Sequence, residues 1–204
     1  MRIILSGILV AIAATPALAC PTRADLEADG IEVRFADETR VVYTLRDANI
    51  IREISHFPDP SEDFWVDAYL GIYPVADGAM RDGEASREDM VTSRYPETLP
   101  DLPRVEPEME WSGVLTGFDG RGSEVEKTTL AVSIGAKQSV TIGFCTYDAM
   151  SAQTEFSYSD GGDMAEFRYL PDLGIAVQIG SGPGGGSPEA YYRPISIRAV
   201  GDEE

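Results

Sequence analysis

The chain is poor in the residues that most catalytic centres are built on. Among 204 residues there is a single histidine, His56, and only two cysteines, Cys20 and Cys145. A Ser-His-Asp or Cys-His constellation must use His56 or do without imidazole. His56 lies in EISHFPDP, at the end of a strand-like run beside a proline-rich turn, where a local hydrogen bond is its ordinary use. Zinc and other transition metals want histidine and cysteine ligands that the chain lacks. No G-x-x-x-x-G-K-[ST] phosphate loop is present. GSGPGG at 180–185 spells G-x-G-x-x-G, but SPEAYYRPISIRAV follows, a strand pattern with two prolines where a dinucleotide fold needs a helix. No cofactor is expected.

Positive charge is scarce too, with 16 Lys and Arg against 35 Asp and Glu. That imbalance excludes nucleic acid, whose binding rests on cations neutralising phosphates, and argues against docking on anionic lipid surfaces. Long apolar runs are confined to the start. Arg2, an uncharged stretch over Ile3 to Ala14, Pro16 and then Ala17-Leu18-Ala19 have the layout of a secretory signal peptide over residues 1–19. The apolar stretch is short of the ~20 residues a spanning helix needs, so no integral membrane segment is expected. Cleavage after Ala19 leaves a mature chain of 185 residues, 20–204, with a net charge of −20, enough for one sizeable core. It would be periplasmic or secreted.

Cys20 would then be the first mature residue, the position where a bacterial lipoprotein carries its lipid. Lipoprotein signals place Leu third and a small residue second before the cysteine; here the order is Ala17, Leu18, the reverse. Two cysteines in an oxidising compartment most simply pair, which favours a Cys20–Cys145 disulfide over a lipid anchor through Cys20.

Most of the mature chain alternates apolar and polar residues with turn signals about every ten positions, the pattern of an all-β domain. Strands are expected at 31–35, 41–46, 49–56, 66–75, 109–117, 124–133, 138–146, 153–159, 164–170, 174–179 and 190–199, with a helix considered at 85–94. In the hairpin 153–170 a turn at Gly162-Asp163 would oppose Phe156 to Tyr169 and Tyr158 to Phe167. In the hairpin 30–46, Ile31 would face Leu45, Val33 Tyr43 and Phe35 Val41. YLGIYPV at 69–75 echoes YLPDLGIAV at 169–177, which raises an internal duplication. Residues 76–108, charged and holding four prolines between 96 and 107, read as a connector, and 180–188 as a flexible Gly-rich loop.

Two groups of side chains are candidates for a site. Phe156, Tyr158, Phe167 and Tyr169 share one strand face, with Tyr147, Tyr191 and Tyr192 on neighbouring strands, and could line an apolar concavity; core packing is the ordinary alternative. Asp59, Glu62, Asp63 and Asp67 in DPSEDFWVD supply oxygen ligands for calcium, though the spacing fits no calcium-loop template. A carboxylate pair for glycoside hydrolysis would be visible only in space.

The stretch EFRYLPDLGIAVQI at 166–179 resembles the aromatic-x-Pro-x-Leu-Gly-Ile/Val hairpin of periplasmic β-meander proteins of the outer-membrane lipoprotein and lipoprotein-carrier kind. The resemblance covers about twenty residues and transfers no functional residue. It implies a curled antiparallel sheet around an apolar concavity, and a lipid-like ligand or an envelope protein as partner. The chain as a whole resembles acidic, all-β exported proteins of α-proteobacterial type. Together these readings give a single antiparallel β domain, either a curled sheet or a two-sheet sandwich. Its function would be non-catalytic binding or envelope structure, with a small exported hydrolase using a carboxylate pair as the alternative.

Overall fold

A computed structural model describes residues 19–201; the expected signal peptide lies, but for Ala19, outside the described residues. After a short helix α1 (Arg23–Glu27), fourteen strands follow: β1 (Ile31–Phe35), β2 (Arg40–Asp47), β3 (Ile50–His56), β4 (Phe64–Tyr69), β5 (Tyr73–Arg81), β6 (Glu84–Ala85), β7 (Val91–Arg94), β8 (Glu110–Asp119), β9 (Glu124–Ile142), β10 (Cys145–Tyr158), β11 (Gly161–Leu170), β12 (Ile175–Pro183), β13 (Ala190–Tyr191) and β14 (Pro194–Ala199). All pairings are antiparallel, in the order β13-β12-β11-β10-β9-β8-β7-β5-β4-β3-β2-β1-β14, with β6 folded back on β5. The fold is an all-β meander.

The ladder does not close, but its two ends are held together by one stretch of chain. Tyr192 N–H donates to Ile179 O of β12, and the next residue, Arg193, accepts through its carbonyl from Ala36 N–H beside β1. β13 thus pairs with one end of the sheet and β14 with the other. Curling of this kind covers both faces of β10–β12. Cys145, Tyr147, Leu170, Ile175 and Val177 pack against the apolar side chains of β1, β2 and β14 and against Leu26 of α1. Met150, Ala152, Tyr169 and Ala176, on the opposite face, pack with Tyr73, Leu102, Leu130 and Val132.

The disulfide Cys20–Cys145 joins residues 125 apart in sequence and pins α1 to the start of β10. Alongside it the Tyr147 hydroxyl donates to Pro21 O. Helix α1 was not expected: its five residues are too few to show a 3.6-residue period, though Thr22 N–H and Oγ1 both donate to the Asp25 carboxylate at its first turn.

Several expectations need correction. The hairpin β10–β11 turns at Ser159–Asp160, so Phe156 opposes Asp163, Ala152 opposes Phe167 and Met150 opposes Tyr169. On the other edge of β10, β9 places Leu130 against Phe156 and Val132 against Thr154, and the aromatics are not opposed in pairs across β10–β11. The displacement is an even number of residues, so the four aromatics still share a face. In β1–β2 the pairs are displaced by two, again an even number, with Ile31 opposite Tyr43 and Val33 opposite Val41. The expected strand 66–75 is broken by a turn at Leu70 and Gly71, both at positive φ, where a Cβ on Gly71 would strike the carbonyl oxygen of Gly174. The echo between 69–75 and 169–177 therefore falls on two hairpin turns that abut each other.

Residues 124–146, expected as two strands broken near Gly135, form a single 19-residue β9 and a turn at Gly143, with the irregularity taken up by a bulge opposite, between Met150 and Ala152. The helix at 85–94 does not form; β6 and β7 occupy its ends. Parts of the expected connector are strand, in β5, β6 and β7, and its longest stretch off the ladder is 95–109, where Leu102 is buried and Tyr73 donates through its hydroxyl to Pro103 O. The start of the Gly-rich loop, 180–183, belongs to β12.

A carboxylate-lined cavity inside the curled sheet

The curl encloses a cavity of about 360 Å³ walled by inward-facing residues of β3, β4, β5, β7, β8, β9, β10, β11 and β12. Strand alternation explains the wall. Glu53 of β3 stands directly opposite Val66 of β4, and Val66 opposite Asp77 of β5. Directly opposed residues share a face, so these three project inward together. Two strand spacings separate the Glu53 and Asp77 backbones, roughly 9–10 Å. Further round, Gly117 of β8 opposes Glu126 of β9, and the missing side chain at 117 leaves room over that carboxylate.

Apolar and aromatic groups make up most of the remaining wall: Phe64, Val66, Val91, Leu115, Phe156 and Phe167. Tyr158 stacks on Phe156 with the ring planes 7° apart and centroids 6.5 Å apart. Thr128 and Thr154 are buried polar groups at the floor. The turn at Gly71 and Ile72 closes one end. Phe64 and Glu126 are exposed at the other, which makes that the mouth. A side chamber of about 90 Å³, lined by Tyr43, Ser55, Phe57 and Tyr192, adjoins the main cavity across Glu53 and Gln178, which line both.

The low polarity of the wall shows in the acids. Burial pushes Glu53 up to about 7, opposed by a hydrogen bond from Ser55 Oγ at 3.3 Å. Burial, reinforced by the negative charge of Glu126, pushes Asp77 up to about 6. The Tyr158 hydroxyl is raised by burial and by the charges of Asp163, Glu126 and Asp77. Asp77 and Glu126 make no hydrogen bond or ion pair to any described residue.

Of the four aromatics singled out by the sequence, Phe156, Tyr158 and Phe167 line the cavity, while Tyr169 is buried in the core beneath it. Tyr147 packs in the other core, Tyr192 pairs with Ser181 through its hydroxyl at 2.8 Å, and Tyr191 is exposed. The acidic run at 59–67 is dispersed. Asp59 accepts from Ser61 at the start of a 3-10 turn, Asp63 takes His56 Nδ1 at 2.7 Å and Phe57 N–H, Asp67 forms a two-point pair with Arg52, and Glu62 is exposed. No three of His, Cys, Asp and Glu converge to hold a metal among the described residues. The inward acids Glu53, Asp77 and Glu126 escaped the sequence reading. No local signal marks them: Ile51 and Ile54 flank Glu53 on opposite faces of β3.

No family model matches the chain, and no curated protein matches it. Among solved structures, a protein of Bacteroides fragilis with a YmcC-like fold, named as exported, is similar at 10% identity and a TM-score of 0.36, over 84% of this chain and 97% of that one. Likeness at that level leaves the function to be argued from the cavity.

Proposed function

We propose that this is an exported binding module that holds an apolar or amphiphilic small molecule in the lumen of its curled sheet. The observation that carries the reading is the cavity itself: about 360 Å³, concave, largely apolar and aromatic, with a few polar groups placed on its wall. The Cys20–Cys145 disulfide points to an extracytoplasmic location. With the Cys20 sulfur engaged by Cys145, a soluble periplasmic protein is the better reading than one tethered by a thioether lipid. No described helix is long and apolar enough to cross a membrane.

The hydrolase alternative draws on the two raised carboxyls. Burial is the leading cause for both, Glu53 to about 7 and Asp77 to about 6. Carboxylate hydrolases instead set the two groups apart, one kept protonated as acid and one ionised as base or nucleophile. The wall around these groups is mostly apolar and aromatic, which favours holding over cleaving.

The test is a titration with N-phenyl-1-naphthylamine, a neutral apolar fluorophore, against the wild type and an Ala165→Trp variant that fills the cavity from β11. Saturable, blue-shifted emission in the wild type, lost in a variant with an unchanged circular dichroism spectrum, is expected. Absence of saturable binding to the wild type would overturn the proposal.

A further inference from the structure

We infer that the ligand is an amphiphilic cation, whose ammonium group sits among Glu53, Asp77 and Glu126 while its hydrocarbon body lies against Phe64, Val66 and Phe156. The inference rests on the binding reading above and specifies the ligand's chemistry.

Among the described residues three carboxylates line the cavity, and no lysine, arginine or histidine does. The chain's bases are nearby in sequence but on the other face. On β3, Arg52 precedes Glu53 and points outward, where it pairs with Asp67 at 2.7 Å and lies over the Trp65 ring at 4.4 Å. On β9, Lys127 follows Glu126 and lies outside, 3.8 Å from Glu124. Arg94 of β7 alternates with the inward Ser93 and covers the outer Phe118 ring at 4.1 Å. Strand alternation therefore keeps Arg52, Lys127 and Arg94 outside while their neighbours Glu53, Glu126 and Ser93 face the lumen.

No described basic side chain in the lumen offsets ionised Glu53, Asp77 or Glu126. A metal ion is a poor candidate, since the carboxylates come from separate strands and do not converge. A small inorganic cation would also leave the apolar wall without a partner. An alkylammonium or arylammonium ion satisfies both halves: its charge meets the acids, and its apolar part replaces water on the wall. The rings of Phe64, Phe156, Tyr158 and Phe167 around the same space add cation–π attraction. Burial that holds Glu53 near 7 and Asp77 near 6 means each carboxyl ionises more readily when a cation arrives.

The experiment compares three probes of one chain length at pH 8 and low salt, namely octylamine, 1-octanol and octanoate, by isothermal titration calorimetry on the disulfide-intact protein. Octylamine is expected to bind at least ten-fold more tightly than octanol, and octanoate more weakly than octanol. In the triple variant E53Q/D77N/E126Q the octylamine affinity should fall at least ten-fold while the circular dichroism spectrum and cooperative unfolding stay those of the wild type; an amine affinity left unchanged in a folded variant would overturn the cationic reading. Equal affinities for amine and alcohol in the wild type, or octanoate as the tightest probe, would overturn the cationic reading and leave the binding reading standing. Failure of all three probes to saturate would overturn both.

Discussion

Replacing Glu53 by glutamine should stabilise the protein at pH 8 and leave it nearly unchanged at pH 4.5. In the folded chain burial raises the Glu53 carboxyl from 4.5 to about 7. Below 4.5 the group is protonated whether the chain is folded or not, and it costs nothing. Between 4.5 and 7 the folded chain holds a proton the unfolded chain has released, so stability falls as pH rises. Above 7 the full difference is felt, and a shift of that size corresponds to about 3 kcal/mol. Glutamine keeps an acceptor for the Ser55 hydroxyl and carries no charge, so the variant should gain roughly 2–3 kcal/mol at pH 8. For a domain of this size that raises the melting temperature by roughly 5–10 °C. Urea unfolding of wild type and variant at pH 4.5, 6 and 8 measures the gain and its pH dependence together. Equal destabilisation of the variant at all three values would refute the placement of Glu53 in a water-poor wall. A natural chain that keeps such a carboxylate gives up stability at neutral pH, in keeping with a use for the charge.

Three further perturbations test other parts of the structure. Exchanging both cysteines for serine opens the 125-residue span between Cys20 and Cys145 and should cost ~4–5 kcal/mol by the chain-entropy argument; intact mass should show residues 20–204 less two hydrogens, gaining two alkyl groups only after reduction, and a lipid-sized excess would refute the disulfide. Glu32 is buried among Arg34, Arg40 and Arg198, and although burial opposes its ionisation, the three guanidiniums hold its carboxyl below the ordinary range. Its contribution is therefore present at neutral pH and lost as pH falls through the depressed value, so Glu32→Gln should cost roughly 2–3 kcal/mol at pH 7 and little in strong acid, read from denaturant midpoints. Leu130→Ala removes a fully buried side chain below the cavity floor and should cost about 2–5 kcal/mol in the same assay, with a stability loss under 1 kcal/mol contradicting the packing described for β9.

The sequence by itself determined the class of fold. Period-two alternation is a property of each strand alone, so the all-β architecture was legible from short windows, as was the Cys20–Cys145 pairing from cysteine count. The face shared by Phe156, Tyr158, Phe167 and Tyr169 was legible too, because displacing a register by an even number preserves it. Register was a different matter. Local side-chain pairing suggested Phe156 against Tyr169, but the chain turns at Ser159–Asp160 and sets Phe156 against Asp163. Only the tertiary structure decided which face of each strand became the inside of the curl. Ile51 and Ile54 lie on opposite faces of β3, so the apolar pattern there did not say whether Arg52 or Glu53 would look inward. The curl, with its two ends joined through Tyr192 and Arg193, resolved that choice and brought carboxylates from β3, β5 and β9 to one lumen. Their separation in sequence, from 53 to 126, is why no local motif announced them.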